Sequence, residues 1–507
     1  MTGPRSLVLL NEAGEFDELG WDGPQREKLW RYNQHYFDDL NALDAPDRLL
    51  WHTALVSDWV AHNPPGEGTG WEPYPLSLRV VNWIKWALTG AELSEAVEQS
   101  LAVQIRWLTG RIENHLLGNH LFANAKALVM AGLFFEGSEA NLWLSKGLRI
   151  LAREVPEQLL PDGGHFERST MYHALALEDM LDLVNTVQCF EIRLSPSQRQ
   201  QVEQWSQRAS ELHAWLLAMC HPDGEISLFN DAAFDIAPSV AELDAYSRRV
   251  LGGRAQNSTF MPLVHLKDSG YVRLVHGSVV ALLDVAPVGP DYLPGHAHAD
   301  TLSFEVSVGA QRVLVNSGTS CYGSSAERLR QRGTAAHNTV VLNEQDSSEV
   351  WGGFRVARRA YPLGLHIEQS ADGTVTEVRC AHNGYARLPG KPILHRTWRM
   401  DLNNFTVIDR VEGQYQSAEA RFHFHPAVQV QIGQSEADGT ATLADGTVMT
   451  WHLAHGQARL EDSTWHPRFG QSLSNTCLVV KLMDGISTLH FLSGPSTNSD
   501  LILSSLE

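Results

Sequence analysis

The chain changes its hydrophobic period once, near the middle, and that switch limits its fold more than any other feature. From about Asp47 to Gly252 the apolar residues recur at helical spacing. Val80, Trp83, Ile84, Ala87 and Leu88 form one stripe, and Val97, Leu101, Ile105 and Leu108 form another behind Ser94 as N-cap. Ser195-Pro196-Ser197-Gln198 places an N-cap serine, a first-turn proline and a third-position glutamine ahead of Val202, Trp205, Ala209 and Leu212. Roughly six to ten successive helices are expected, with breaks at Asp162-Gly-Gly and Asp223-Gly. Such helical hairpins pack as a bundle, a solenoid or an (α/α) toroid. After about Phe260 the period becomes two. Tyr271 to Asp284 reads as a hairpin with Gly277-Ser278 at its tip, and Asp372-Gly373, Asp438-Gly439, Asp445-Gly446 and Asp484-Gly485 read as further turns. The expectation is an α+β chain of two domains: a helical domain over 1–255, then an antiparallel β-sandwich or large antiparallel sheet over 256–507. The joint falls between Gly252 and Phe260, where Gly-Gly-Arg-Ala-Gln-Asn-Ser interrupts both patterns.

Charge narrows the partners. With 39 basic against 59 acidic residues the formal charge is −20, which disfavours nucleic acid or an anionic membrane as a partner of the whole surface. The stretch from Arg312 to Arg399 differs, holding twelve arginines and lysines against seven acids, and an anionic ligand is expected there. Five scattered cysteines, an odd number without metal-type pairing, read as reduced thiols. Leu7-Val-Leu-Leu10 is too short for a signal-peptide core, and no later run approaches a membrane span. That favours the cytoplasm, or the periplasm if the start has been altered.

Four clusters carry chemistry. Residues 294–300 read Pro-Gly-His-Ala-His-Ala-Asp, and on a strand their spacing puts His296, His298 and Asp300 on one face, at the mouth of a hairpin that turns at Gly309-Ala310. In the helical half, Glu113-Asn-His-Leu-Leu-Gly-Asn119-His120 concentrates polar groups that need partners among apolar neighbours. Asp162-Gly-Gly-His165-Phe-Glu167-Arg168-Ser-Thr-Met-Tyr172-His173 is a glycine turn entering a helix. Beside His173 and Arg168, Tyr172 is a candidate for a lowered pKa and proton exchange. Arg330-Gln-Arg332-Gly-Thr-Ala-Ala-His337-Asn338-Thr339 adds a further histidine.

Together these segments resemble the heparinase II/III-like polysaccharide lyases. The likeness runs from Trp30-Arg-Tyr-Asn-Gln-His-Tyr-Phe-Asp38 and Trp71-Glu-Pro-Tyr-Pro-Leu-Ser-Leu-Arg79 through Gly118-Asn-His120, residues 165–173 and 294–300 to Ala336-His-Asn-Thr339. The resemblance implies an incomplete (α/α) toroid followed by an antiparallel β-sandwich, and β-elimination on uronic-acid polysaccharides. It implies that Asn119 and His120 neutralise the carboxylate, that Tyr172 is the acid/base tyrosine and that His296 is another catalytic histidine. It also matches His298 and His337 to ligands of a structural metal, usually zinc. The third ligand in such relatives is a carboxylate, and the corresponding position here is Asn316, a weaker ligand. The missing signal peptide points toward polysaccharide synthesis or imported oligosaccharides.

The residue types suit that reaction. Removing the C5 proton of a uronate builds a second negative charge beside its carboxylate, so donors from Asn119 and a histidine would stabilise the enolate. Tyr172 serves as acid, and as base if His173 or an arginine lowers its pKa; His120 or His296 is the alternative base. No cofactor is needed for the chemistry. Arg168, Arg332 and Arg355, with Arg358 and Arg359 nearby, are candidates for gripping carboxylates of an anionic polysaccharide or oligosaccharide. Two other readings stay open. One is a glycoside hydrolase using Glu167, Glu178 or Asp179, and the other is a non-catalytic glycan-binding protein.

Overall fold

The computed structural model describes residues 1–252, 261–402 and 404–493. The expected joint at 255/256 lies outside the described residues. The expected period switch appears as helices before it and strands after it. Val97, Leu101, Ile105 and Leu108 are all buried, and Ser94 accepts from the Val97 amide as N-cap of Glu95–Thr109. The capping box at Ser195 is formed, but the stripe beyond it is split between the helices Pro196–Val202 and Trp205–Ala218.

At the centre lies Gly118–Phe134, a helix buried nearly all round, as its almost uniformly apolar sequence requires. It packs between Pro73–Leu88 and Ser138–Gln158. A Cβ on Gly132 would stand 2.5 Å from the Leu144 backbone nitrogen, so only glycine permits this close approach of two helix backbones.

The second half holds antiparallel sheets of eight, five and four strands. The hairpin Tyr271–His276/Val279–Asp284 forms as expected, and turns occur at Asp372-Gly373, Asp445-Gly446 and Asp484-Gly485. Asp438-Gly439 is a correction, because it opens the strand Asp438–Thr442. Gly439 is needed there for packing: a Cβ would stand 2.2 Å from the Trp451 ring. The segment 294–303 is also not a strand. Pro290 precedes it, Pro294 and Gly295 open it, and the ladder begins only at Phe304–Val308. His296 and His298 therefore diverge.

The halves meet through polar contacts. Asp162 accepts from the backbone amides of Asp268 (2.8 Å) and Ser269 (2.7 Å), and His221 meets Glu305 at 2.7 Å. Asp231 is gripped by both terminal guanidinium nitrogens of Arg328 and by His298 at 2.8 Å. Four of the twelve bases of the expected island are consumed in this way. Arg312, Arg328, Arg332 and Arg396 are buried against carboxylates or carbonyls, and Arg358 pairs with Glu349. Arg355, by contrast, is exposed on the cleft.

Candidate active-site cleft

A cleft of about 2800 Å³ runs between the halves, and Asn119, His120, Tyr172, His296 and Arg355 all line it. Asn119 and His120 project from the first turn of Gly118–Phe134. Gly118 there has φ +54°, and a Cβ on it would stand 2.7 Å from Leu293 and 3.2 Å from Glu167 Oε1. This bare backbone lets the start of the helix approach Leu293, in the loop that carries His296. Asn119 Nδ2 donates weakly to the Tyr74 hydroxyl at 3.4 Å, and the His120 ring stacks on Tyr74 at 4.3 Å. His120 Nδ1 lies 3.1 Å from Glu113 Oε1, whose other oxygen accepts from Asn124.

On the facing side Tyr172 and His296 stack with centroids 3.9 Å apart and planes 18° from parallel. Behind His296, Nδ1 makes a short hydrogen bond to Glu167 Oε2. Burial pushes the Glu167 carboxyl up, but His296 more than offsets this and holds it below the usual carboxylate range. Glu167 Oε1 has no hydrogen-bond partner. The Tyr172 hydroxyl lies 2.8 Å from that of Tyr322, a residue in the loop before the helix Ala326–Arg332. Each cleft wall thus holds a histidine backed by a glutamate.

Several expectations need correction. Tyr172 has its pKa raised well above 10, by burial first and then by Tyr322. His173 cannot lower it. Its ring is buried beneath the helix against Trp215 at 4.1 Å, bonded to the Leu212 carbonyl, and burial pulls its pKa down to about 3. Arg168 sits at φ +60° and donates to the carbonyls of Ser269 and Phe166, outside the cleft. Arg332 is wholly buried and donates to the carbonyls of Ala297, Gly352 and Gly353, so it braces the cleft loops without reaching the cleft. Asp300 is buried away from the cleft, and desolvation raises its carboxyl to about 6.

The expected metal set is incomplete. His298 and His337 are fully buried with centroids 5.2 Å apart, and His298 Nδ1 and His337 Nε2 lack partners. Asn316 Oδ1, however, lies 3.3 Å from His337 Nδ1, the opposite ring nitrogen, while the neighbouring carboxylate of Asp231 is spent on Arg328. Two free nitrogens without a third ligand fall short of a closed zinc site, and among the described residues no three His, Cys, Asp or Glu side chains are grouped to hold a metal. The residues present do not fit zinc.

Sequence reasoning passed over Tyr322, Tyr74 and the positioning part of Glu167. Tyr74 stands within the quoted Trp71–Arg79 segment without a role, and Tyr322 is a lone tyrosine in a Ser/Gly loop that offers no pattern.

Comparison with known proteins agrees with the architecture. A heparin-sulfate lyase of Bacteroides stercoris is 24% identical over 246 residues, which are 45% of this chain and 36% of that protein, so the match spans about a third of the lyase. FtsZ-localized protein C of Caulobacter vibrioides is 25% identical over 481 residues, covering 87% of this chain and 77% of its own. The crystal structure of the heparan sulfate lyase HepC from Pedobacter heparinus superposes with a TM-score of 0.64 at 17% identity, over 96% of this chain and 80% of that one, and shares the fold. The heparinase II/III N-terminal profile matches residues 50–246 and the heparinase II/III-like C-terminal profile residues 261–490. With helices and antiparallel sheets in that order and a cleft between them, the chain belongs to the heparinase II/III-like family.

Proposed function

We propose that the chain is a polysaccharide lyase that cleaves a uronate-containing polysaccharide or oligosaccharide by β-elimination. The observation that carries the reading is the stacked Tyr172–His296 pair with Glu167 behind it, in a cleft also lined by Asn119 and His120. With Nδ1–H given to Glu167, His296 keeps the Nε2 lone pair and acts as base toward the C5 proton. Tyr172, kept neutral by burial, acts as the acid. The C5–H pair becomes the C4–C5 double bond, the bond from C4 to the glycosidic oxygen breaks, and the departing oxygen takes the Tyr172 proton. Asn119 and His120 stabilise the enolate charge on the carboxylate. Arg355, on the cleft rim beside Phe354, suits a neighbouring sugar's acid group. The lyase names of relatives support the reaction class.

The hydrolase reading is weaker on this geometry. Glu167 is bonded to His296, and Glu178 and Asp179 pair with Lys85 and Lys126. The test is product chemistry: full-length protein on uronate polysaccharides should generate the absorbance of an unsaturated uronate, and Tyr172→Phe should lower its rate by about 10²–10⁴-fold. Near-parent activity of Tyr172→Phe would displace the assignment.

A further inference from the structure

One row of side chains on the outer face of the eight-stranded sheet has no part in the cleft. It crosses the neighbouring strands Asn404–Glu412, Ile486–Ser493, Val448–His455 and Asp438–Thr442, and reads Thr406, His490, His452, Asp438. Strand alternation turns both histidines outward, His490 between the buried Leu489 and Phe491, and His452 between the buried Trp451 and Leu453. The two stand directly opposite each other. Each is held by Nδ1 from its outer flank: His452 Nδ1 lies 2.6 Å from Asp438 Oδ1, and His490 Nδ1 lies 2.9 Å from the Thr406 hydroxyl. Nδ1 and Nε2 lie on opposite edges of an imidazole, so tying both Nδ1 atoms outward turns both Nε2 edges toward each other. The ring planes are 18° from parallel, but the centroids are 6.2 Å apart against 3.9 Å for Tyr172 and His296, so the pair is not held by face-to-face stacking. Among the described residues neither Nε2 has a hydrogen-bond partner, and about half of the His452 side chain is open to water.

We infer that His452 and His490 form an open site for a divalent first-row transition ion of the imidazole-seeking kind, Zn²⁺, Ni²⁺ or Cu²⁺. Imidazole nitrogen selects these ions over Mg²⁺ and Ca²⁺, which take oxygen. A histidine that ligates such an ion characteristically gives its other ring nitrogen to a carboxylate or another oxygen, which fixes the tautomer and leaves the lone pair on the ligating atom. Asp438 accepts from Nδ1–H of His452 in this way, and the Thr406 hydroxyl can accept likewise from His490. Asp438 thus stands behind a ligand and is not one itself. Reach is also available. A tetrahedral ion at ~2.0–2.1 Å from each nitrogen needs the two about 3.4 Å apart, and the Cβ atoms of directly opposite residues stand about 4.5–5.5 Å apart. Water completes the coordination on this exposed face, which sets the pair apart from the fully buried His298 and His337. Neither His452 nor His490 lines the cleft, so the site is independent of the reaction proposed there.

The test is titration calorimetry of the full chain, without a histidine tag, against Zn²⁺ at pH 7.5. The parent should show one saturable site, and the double variant His452→Gln/His490→Gln should lose it while keeping the parent's thermal midpoint in chelator, because both side chains lie on the outer face. Asp438→Asn and Thr406→Val leave both ligands in place and should each weaken binding by about 10–100-fold. Cu²⁺ should bind more tightly than Zn²⁺, and an excess of Mg²⁺ should not compete. An isotherm that survives the double variant would place the ion elsewhere in the chain and overturn the inference. So would the absence of saturable binding to the parent, or displacement of Zn²⁺ by Mg²⁺.

Discussion

At the scale of single residues, the site depends on what stands behind each reactive group. Glu167 fixes the His296 ring through Nδ1 and leaves Nε2 for the substrate. Replacing it by glutamine keeps the shape but loses the charge and the certainty of the tautomer. Glu167→Gln should therefore lower kcat by on the order of 10²–10⁴-fold with KM little changed. Chromatography of the residual product decides its meaning: unsaturated ends keep Glu167 as a positioning residue, whereas hydrated reducing ends from the parent protein would make it a hydrolase acid. The hydroxyls of Tyr172 and Tyr322, 150 positions apart in sequence, share a hydrogen bond. Burial raises the pKa of both, so each remains a donor over the whole physiological range.

At the scale of elements, a single buried guanidinium sets two loops in register. Arg332 ties Ala297, between the two histidines of the 294–300 loop, to Gly352 and Gly353 in the turn that carries Phe354. Lysine retains the charge but cannot fork to three carbonyls. Arg332→Lys should reduce kcat by about tenfold or more and lower the thermal midpoint. Unchanged turnover in steady-state assays would show that the loops hold their places without it. This element also marks where sequence reading stopped. The periods of Val97 to Leu108 and of the Tyr271–Asp284 hairpin are local properties, so they were legible. His296 was legible because Pro-Gly-His-Ala-His is dense in chemistry. The fates of Arg168, His173 and Arg332 were not, because adjacency to Tyr172 or to a histidine motif says nothing about which way a side chain turns. Only tertiary packing supplies the carbonyls that absorb a buried cation. Asn316 was read as a ligand position, yet its oxygen faces the other nitrogen of His337.

At the scale of the whole molecule, the interior holds many histidines in the neutral form. Burial pulls His165, His298 and His423 down to about 4 and His382 to about 3. The unfolded chain protonates its histidines near 6.5, so between about 6.5 and 4 it binds more protons than the folded state, and stability falls as pH falls through that window. Glu167, held low in the fold, adds loss in the same direction at the acid end. The thermal midpoint should drop by about 5 °C or more between pH 7.5 and pH 5, and a flat profile in scanning calorimetry would contradict this burial pattern. The Asp231–Arg328 contact has a consequence in time. The two partners are 97 residues apart, with the carboxylate emerging first from the ribosome. At about 5–20 residues per second the carboxylate waits roughly 5–20 s for its guanidinium. Within that interval Asp162 gains its partners Asp268 and Ser269 and His221 its partner Glu305, and Asp231 is the last of the three to be met, by Arg328. Slower synthesis along 232–328 therefore lengthens the time for which the Asp231 carboxylate stands without its guanidinium.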